Sequence, residues 1–396
     1  MFSILPIKGD ISNIDGFYCD GVSGGLKPDG ALDMGFIYTQ TACDVEAIFT
    51  KNSFKAAPLL HYLRYPKDFK TNFILINSKN ANAMTGEKGI DDINYIFDDL
   101  KTIFPDIQNP IMSSTGVIGV PLPVEKIIKG ATKFQLFSKD GENLSKAIMT
   151  TDSYNKKTFY EVTLKDGSSF KIGAVAKGAG MINPNLATML CFICTDANIP
   201  KEDMKELLLE NTHTTFNAIS VDGDTSTNDT VLLLANKTSN CYNKEAFKEA
   251  LRLVMEDMAL MMVADGEGAK KHVAFNIKGA FNQEEAEICA KALSNSLLVK
   301  TALFGEDPNW GRVASTIGAS GVECDPTTLT ISFGDVVVYK DGEIFFDQQM
   351  EKKAAEVLQH SSFSINCDLG IGDGTFTAWG CDLGYEYVKI NADYRT

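Results

Sequence analysis

The chain has 396 residues and carries 37 lysines and arginines against 52 aspartates and glutamates, a formal net charge of −15. This acidity, without any cluster of basic residues, makes nucleic acid and anionic membranes poor partners, and no apolar run approaches the length of a membrane span. Because the amino-terminal apolar run is too short for a signal peptide and the nine cysteines are scattered, as is typical of reduced thiols, we expect a cytoplasmic protein.

Strand and helix patterns alternate along the first half of the chain. Residues 1–60 predict short strands between Gly and Asp turns, and residues 73–76 predict a buried strand. Residues 91–104 place apolar side chains at helical spacing. Residues 159–171 predict a β-hairpin around Asp166-Gly167, a strong two-residue turn signal.

The second half continues the alternation. Residues 201–212 and 244–263 predict amphipathic helices, and residues 231–235 predict a strand. Beyond residue 272 we expect, in order, a strand, a helix at 284–298, strands at 328–333 and 336–339, a helix at 350–359, and strands at 363–367 and 385–391. Interleaved elements of this kind predict a layered α/β or α+β fold, which we expect to divide near residue 280 into parts 1–280 and 281–396.

The stretch from Lys177 to Asp196 is unusual in its composition. Two glycines precede a turn at Pro184, and residues 189–193 then predict a buried strand. Thr188 is the polar residue at the mouth of this strand and follows the small Ala187. Spacing alone favours a structural role for Thr188, whose hydroxyl would satisfy a backbone group. The alternative is a nucleophile whose backbone nitrogen becomes a new chain terminus.

The sequence Lys177-Gly-Ala-Gly-Met-Ile-Asn-Pro-Asn-Leu-Ala-Thr-Met-Leu190 resembles the self-cleavage segment of the ornithine acetyltransferase/glutamate N-acetyltransferase family, the acetyl-recycling enzymes of arginine biosynthesis. The usual pattern there is close to KGSGMIxPNxATML. Ala179 stands where the family usually has Ser, and Leu186 where Met is commoner; neither change removes a catalytic group. Other blocks are similar to family blocks in the same order along the whole chain: Asn77-Ser-Lys-Asn-Ala-Asn-Ala83, Ser114-Thr-Gly-Val-Ile-Gly119, Ile148-Met-Thr-Thr-Asp152, Val221-Asp-Gly-Asp-Thr-Ser-Thr-Asn-Asp229, Asp265-Gly-Glu-Gly268, Asp307-Pro-Asn-Trp-Gly-Arg312 and Ile390-Asn-Ala-Asp-Tyr-Arg-Thr396.

The resemblance implies a four-layer αββα sandwich like that of N-terminal-nucleophile hydrolases, with a smaller C-terminal α+β domain. It also implies self-cleavage between Ala187 and Thr188 into chains 1–187 and 188–396. The freed α-amine of Thr188, with an ordinary pKa of about 7.7–8.0, would then be a suitable base for its own hydroxyl. Acetyl would pass from N2-acetyl-L-ornithine to Thr188 and from there to L-glutamate by a ping-pong mechanism.

The same resemblance implies roles for further residues. Thr115 and Gly116 correspond to the oxyanion hole, which needs donors aimed at developing negative charge. Glu267 would attract the side-chain ammonium of ornithine. The matching substrate-binding positions are Thr151, Lys177, Thr188, Glu267, Asn391 and Thr396. Without the resemblance, Thr115-Gly116 would be interpreted as an ordinary turn and Glu267 as a solvated residue at a helix end.

We expect neither a metal ion nor a cofactor. The segment 222–229 spaces its oxygens like a calcium loop, but Thr227 replaces the invariant glycine and Leu233 the bidentate glutamate. Cys191 and Cys194 would point to opposite faces of a strand, which argues against a redox or zinc role.

Two other classes of function stay open beside the transferase. One is an N-terminal-threonine aminopeptidase or amidohydrolase on the same architecture, and the other is a metabolite-binding protein that never cleaves. The sequence leaves open whether acetyl-CoA also serves as a donor. The resemblance implies an assembly of four chains, two copies of each of the two cleavage products (two alpha and two beta chains).

Overall fold

The computed structural model describes residues 2–183 and 189–393, and its strands form two sheets. Within these ranges the first sheet has nine strands in the order β1-β6-β7-β8-β9-β3-β4-β5, with β2 paired to β3. Its strands are β1 (Phe2–Pro6), β2 (Phe17–Val22), β3 (Met34–Phe49), β4 (Lys70–Asn77), β5 (Ile111–Ser114), β6 (Lys156–Leu164), β7 (Ser169–Lys177), β8 (Leu190–Thr195) and β9 (Thr230–Ala235).

Six helices accompany this sheet in the described part of the chain. They are α1 (Ala57–Tyr62), α2 (Gly86–Ile103), α3 (Val124–Ala131), α4 (Gly141–Ala147), α5 (Lys201–Thr214) and α6 (Lys244–Ala264). The helices predicted at 91–104, 201–212 and 244–263 correspond to α2, α5 and α6. The hairpin predicted around Asp166-Gly167 is the antiparallel pair β6–β7.

The long strand β3 lets the first sheet fold over on itself. Its pairing with β4 is irregular between Tyr38 and Cys43, and its second half also pairs with β9. Apolar side chains from the two halves of the sheet then meet in one buried core, with Ile37 and Ile74 on one side and Phe192 and Leu232 on the other. The outer faces are covered by α5 and α6 on one side and by α2 and α3 on the other. The predicted four-layer αββα sandwich is confirmed.

Strand β8 contributes side chains to two hydrophobic cores, one on each face of the sheet. All six of its residues are buried because the strand is covered on both faces, which explains its continuous apolar composition. Cys191 packs into the core beneath α6, whereas Cys194 packs between the two sheet layers. The predicted opposite orientation of these two thiols is confirmed.

In the part of the chain that the structure describes, the second sheet has six strands in the order β13-β12-β11-β14-β10-β15. In chain order this part contains β10 (His272–Ala280), α7 (Gln283–Asn295), α8 (Leu297–Phe304), α9 (Trp310–Ala319), β11 (Thr330–Phe333), β12 (Val336–Lys340), β13 (Glu343–Ile344), α10 (Gln348–Leu358), β14 (Ser362–Asp368), β15 (Gly374–Cys381) and α11 (Tyr385–Asp393). Helices α7 to α10 pack against the sheet in one core. The sheet begins at His272, inside the range 1–280 expected for the first part.

Two sequence expectations differ from this part of the structure, and some of its elements were not expected. The helix expected at 284–298 is two helices, because Ser296 leaves the helical conformation and its side chain caps α8 by accepting from the Val299 N–H. Helix α9 and strands β13 and β15 were not predicted. Residues 385–391 were expected to form a strand, but they lie in helix α11, so that expectation was wrong.

Helix α11 has no buried residue, and its residues Glu386 and Tyr387 lie close to Gly268. A Cβ on Gly268, which has φ +72°, would lie 2.7 Å from the Glu386 Cβ. Close backbone contact, which an apolar pattern cannot signal, therefore positions this helix. Across residues 2–183 and 189–393, none of the helices combines the length and the apolar composition that crossing a membrane requires.

Candidate active site

Those predicted site residues that the structure describes lie around the edge of the first sheet where β7 ends and where β8 and β9 begin. Lys177 pairs with Leu190, and Leu190 pairs with Thr230, so these three residues form one row across three strands. A cavity of about 200 Å³ opens at this edge. Its lining residues are Thr115, Gly116, Ile118, Thr150, Thr151, Lys177, Gly180, Met181, Met189, Leu190, Asp222, Asp224, Ser226, Asn228, Asp229, Glu267, Tyr387 and Asn391.

Six of the predicted site residues meet in this one cavity. They come from five separate segments of the chain and are Thr115, Gly116, Thr151, Lys177, Glu267 and Asn391. The other three predicted positions, Ala187, Thr188 and Thr396, lie outside the described residues. Met189, which follows Thr188 in the chain, lines the cavity.

The loop that follows β5 presents Thr115 and Gly116. Gly116 has φ +131°, and a Cβ there would lie 2.6 Å from the Asn80 nitrogen and overlap the Lys79 backbone. Only glycine fits this position, because other residues rarely adopt a positive φ and would collide with that backbone. The Thr115 N–H donates to the Asn77 carbonyl oxygen at 3.0 Å, which holds the loop against the end of β4.

Lys177 is buried at the end of β7 and contacts two hydroxyl groups of the cavity. Its Nζ donates to Thr150 Oγ1 at 2.8 Å and to Thr115 Oγ1 at 3.3 Å. Because an ammonium group only donates, the Thr115 oxygen is the acceptor, and its own hydrogen is left to point elsewhere. Burial lowers the pKa of Lys177, and the nearby Asp152 partly offsets that effect.

A buried ion-pair cluster lies behind the cavity. Lys156 Nζ is 2.7 Å from Asp152 Oδ1 and 2.5 Å from Asp265 Oδ2, and the Lys156 side chain is fully buried. Asp152 also accepts from the Gly178 N–H at 2.7 Å. Burial alone would raise the pKa of Asp152, but Lys177 and Lys156 together lower it to about 2. The cluster therefore links β6, the residue after Lys177 and the turn that carries Glu267.

Glu267 follows α6 and faces the cavity from a confined position. Its N–H donates to the Ala179 carbonyl oxygen at 2.9 Å, and its Oε2 accepts from Asn391 Nδ2 at 2.6 Å. A Cβ on Gly180 would lie only 2.6 Å from that Oε2. Gly180, the second glycine of the Lys177-Gly-Ala-Gly180 motif, therefore leaves space for the Glu267 carboxylate.

The loop 222–229 contributes three more carboxyl groups to the cavity, for which the sequence predicted no role. Asp222 accepts from the Met181 N–H at 2.6 Å and from the Ile182 N–H at 3.0 Å. Asp229 is buried, and burial raises its pKa well above the ordinary value. Within the described ranges, no group of His, Cys, Asp and Glu side chains is arranged to hold a metal ion.

The charges of the cavity favour a cationic ligand. Among the described residues, Asp222, Asp224 and Glu267 line it together with Lys177, besides Asp229, whose carboxyl group burial makes harder to ionise. A substrate that carries an ammonium group would be attracted to such a lining. Only the Val221–Asp229 block pointed to these aspartates in the sequence, and it did so without assigning them a function.

Comparisons with known proteins agree with the motifs. The sequence profile of the ArgJ family matches residues 18–396. The arginine biosynthesis bifunctional protein ArgJ of Wolinella succinogenes is 58% identical over 396 residues and covers 100% of both chains. The protein of the same name from Oceanobacillus iheyensis is 41% identical and covers 100% of this chain and 98% of its own. Glutamate N-acetyltransferase of Methanopyrus kandleri is also 41% identical, with 94% of this chain and 98% of its own covered.

Proposed function

Because the chain belongs to the ArgJ family, we propose that it transfers the acetyl group of N2-acetyl-L-ornithine to L-glutamate and releases L-ornithine and N-acetyl-L-glutamate. It is thus a glutamate N-acetyltransferase of arginine biosynthesis. The observation that carries this proposal is the meeting of Thr115, Gly116, Lys177 and Glu267 in one cavity at the start of β8.

Thr188 is the nucleophile of the proposed mechanism. Self-cleavage after Ala187 gives chains of 187 and 209 residues (396 − 187) and frees the α-amine of Thr188. This amine takes the proton of the Thr188 hydroxyl as the oxygen attacks the acetyl carbonyl carbon. The acetyl ester that results is the intermediate shared by both half-reactions.

Thr115 and Gly116 stabilise the oxyanion that forms during each attack. The contact from Lys177 Nζ to Thr115 Oγ1, 3.3 Å long, supports this role because it leaves the threonine hydrogen available for the oxyanion. The positive charge of Lys177 also strengthens that hydrogen bond in a buried site. One oxyanion donor commonly contributes about 10²–10³ in turnover.

Glu267 and Asn391 bind the amino-acid part of the substrate in this proposal, with Thr151, Lys177 and Thr396 as further contacts. The Glu267 carboxylate pairs with the side-chain ammonium of ornithine. The hydrogen bond from Asn391 Nδ2 to Glu267 Oε2 supports a shared subsite. The acidic lining of the cavity favours the same cationic substrate.

The remaining features of the proposal follow the family. Acetyl-CoA is a proposed second donor, since relatives are named bifunctional, and the reaction needs no cofactor. We propose an assembly of two copies of each cleaved chain, a cytoplasmic location, and a smaller C-terminal domain that begins with β10 at His272 rather than at residue 281. All nine cysteines carry free thiols, which supports a reducing compartment.

The decisive experiment follows the two half-reactions. N-acetylornithine should acetylate Thr188 and release about one equivalent of ornithine in a burst. Glutamate should then discharge the ester far faster than water does and give parallel double-reciprocal plots, and Thr188→Ala should stay uncleaved and inactive. If the ester decays at the same rate with and without glutamate, the chain is a hydrolase and the transferase assignment is wrong.

A further inference from the structure

The carboxyl group of Asp229 is an unexplained feature of the cavity wall. Asp229 is 2% exposed and lines the cavity, yet its Oδ2 has no hydrogen-bond partner within residues 2–183 and 189–393. The great majority of buried polar side-chain atoms in folded proteins do have a partner. An unsatisfied carboxyl oxygen is unfavourable for the free protein, which suggests that a substrate atom completes its contacts.

The backbone around Asp229 is held firmly beside the predicted oxyanion segment. Asn228 Nδ2 donates to the Ser114 carbonyl oxygen at 2.9 Å, immediately before Thr115. The Thr230 N–H donates to the Met189 carbonyl oxygen at 2.7 Å. Asp229 is therefore fixed between the oxyanion segment and the start of β8, and such fixed placement is what a catalytic side chain requires.

Acetyl transfer needs a group that can give a proton to a nitrogen atom and later take one back. An amide nitrogen leaves as a neutral amine only if it gains a proton while the C–N bond breaks. Asp229 is suited to supply this proton, because it lines the cavity and its burial favours the protonated form of the carboxyl group: burial is the largest influence on its pKa and raises it, against a smaller lowering by Ser226 and Lys177.

We propose that Asp229 is a further catalytic residue, which protonates the departing nitrogen of ornithine and then accepts a proton from the attacking nitrogen of glutamate. The inference rests on the proposed function. In the first half-reaction the bond between Thr188 Oγ and the acetyl carbon forms and the C–N bond breaks. The hydroxyl proton passes to the Thr188 α-amine, and the Asp229 proton passes to the ornithine nitrogen.

The second half-reaction restores both groups. The neutral α-amine of glutamate attacks the acetyl carbon, and one of its N–H protons passes to the Asp229 carboxylate. The bond from the acetyl carbon to Thr188 Oγ breaks, and the α-ammonium of Thr188 returns its proton to that oxygen. Asp229 ends as the neutral acid that it was at the start.

Two acetyl donors with different leaving groups test the proposal. N-acetylornithine needs a proton on its leaving nitrogen, whereas p-nitrophenyl acetate releases a stable phenolate that needs none. Asp229→Asn should slow acetylation by N-acetylornithine by on the order of 10²–10⁴, while acetylation by p-nitrophenyl acetate stays within about threefold of the wild type. Asp229→Glu, which keeps a carboxyl group, should recover part of the N-acetylornithine rate.

The readout is the mass of the acetylated chain over time, divided by the amount of chain that begins at Thr188. If Asp229→Asn does not self-cleave, chains 1–187 and 188–396 are co-expressed to supply the two-chain protein. Asp335→Asn makes the same chemical change at an exposed turn between β11 and β12 and should leave both rates unchanged.

Equal slowing with both donors, or no slowing with either, would overturn the role of Asp229. Failure of the proposed function has a different signature. In that case wild-type protein would gain no acetyl group from N-acetylornithine, or Thr188→Ala would still gain one from either donor.

Discussion

The buried ion-pair cluster around Lys156 leads to a prediction whose size can be worked out from the structure. Lys156→Met removes the cation that pairs with Asp152 at 2.7 Å and Asp265 at 2.5 Å and leaves both carboxylates buried. Breaking a buried pair by removing one partner commonly costs about 3–5 kcal/mol. Both carboxylates keep backbone donors, Asp152 from Gly178 and Asp265 from Ser153, so we expect a loss within that range and no larger.

Thermal or denaturant unfolding of the purified variant measures this loss. For 396 residues, 3–5 kcal/mol corresponds to a fall in Tm of about 4–6 °C if unfolding is cooperative. Lys157→Met is the matched control. Lys157 is the next residue in the chain, and its Nζ lies 2.6 Å from Glu142 Oε2 at a partly exposed site. A surface pair of this kind contributes about 0–1 kcal/mol.

The pH dependence of the difference in stability between wild type and Lys156→Met tests whether loss of the ion pair causes that difference. The folded protein holds the pKa of Asp152 at about 2 against an ordinary 3.8, so Asp152 stabilises the fold above pH about 4 and loses that contribution as pH falls toward 2. The difference between wild type and Lys156→Met should therefore shrink over this window. A difference below about 1 kcal/mol at pH 7, or one that is constant down to pH 2, would refute the reasoning.

Three further predictions concern the cavity. Thr115→Ala should lower kcat by about 10²–10³ with a smaller change in KM; an unchanged kcat with a collapse of binding would place Thr115 in the pocket wall instead. Glu267→Gln should raise the KM for N-acetylornithine about 10- to 100-fold, because it loses a charged hydrogen bond worth about 1.5–3 kcal/mol. The control Glu343→Gln, in an exposed edge strand, should behave as wild type. Equal KM values for Glu267→Gln and wild type in steady-state assays would rule out the ammonium contact. Gly180→Ala should also raise that KM, since its Cβ would lie 2.6 Å from Glu267 Oε2, and an alanine variant with wild-type kinetics would show that the carboxylate moves freely.

Local patterns in the sequence determined the individual elements and the chemistry of one segment. The apolar spacing of α2 and α6, the Asp166-Gly167 turn between β6 and β7, and the continuous apolar run of β8 are all readable within ten to twenty residues, because helix and strand periodicity and turn preferences are local properties. The resemblance of residues 177–190 to a self-cleavage segment is local in the same sense. That segment contains Lys177 and Thr188, and the similar blocks 114–119 and 265–268 contain Thr115, Gly116 and Glu267.

The tertiary structure decided which of these pieces meet and which side chains become buried. Pairing of β3 with β2, β4 and β9 joins both halves of the first sheet, and so brings the Thr115 loop to Lys177 across 62 residues of chain. Residues 385–391, whose own pattern predicts a strand, form part of helix α11, which lies close to Gly268. Lys156 and Asp229 look like ordinary charged residues in the sequence. Their roles arise because distant segments of the chain bury these two side chains, and the ionisation of a buried group depends on the groups packed around it. Burial of this kind exists only in the folded chain.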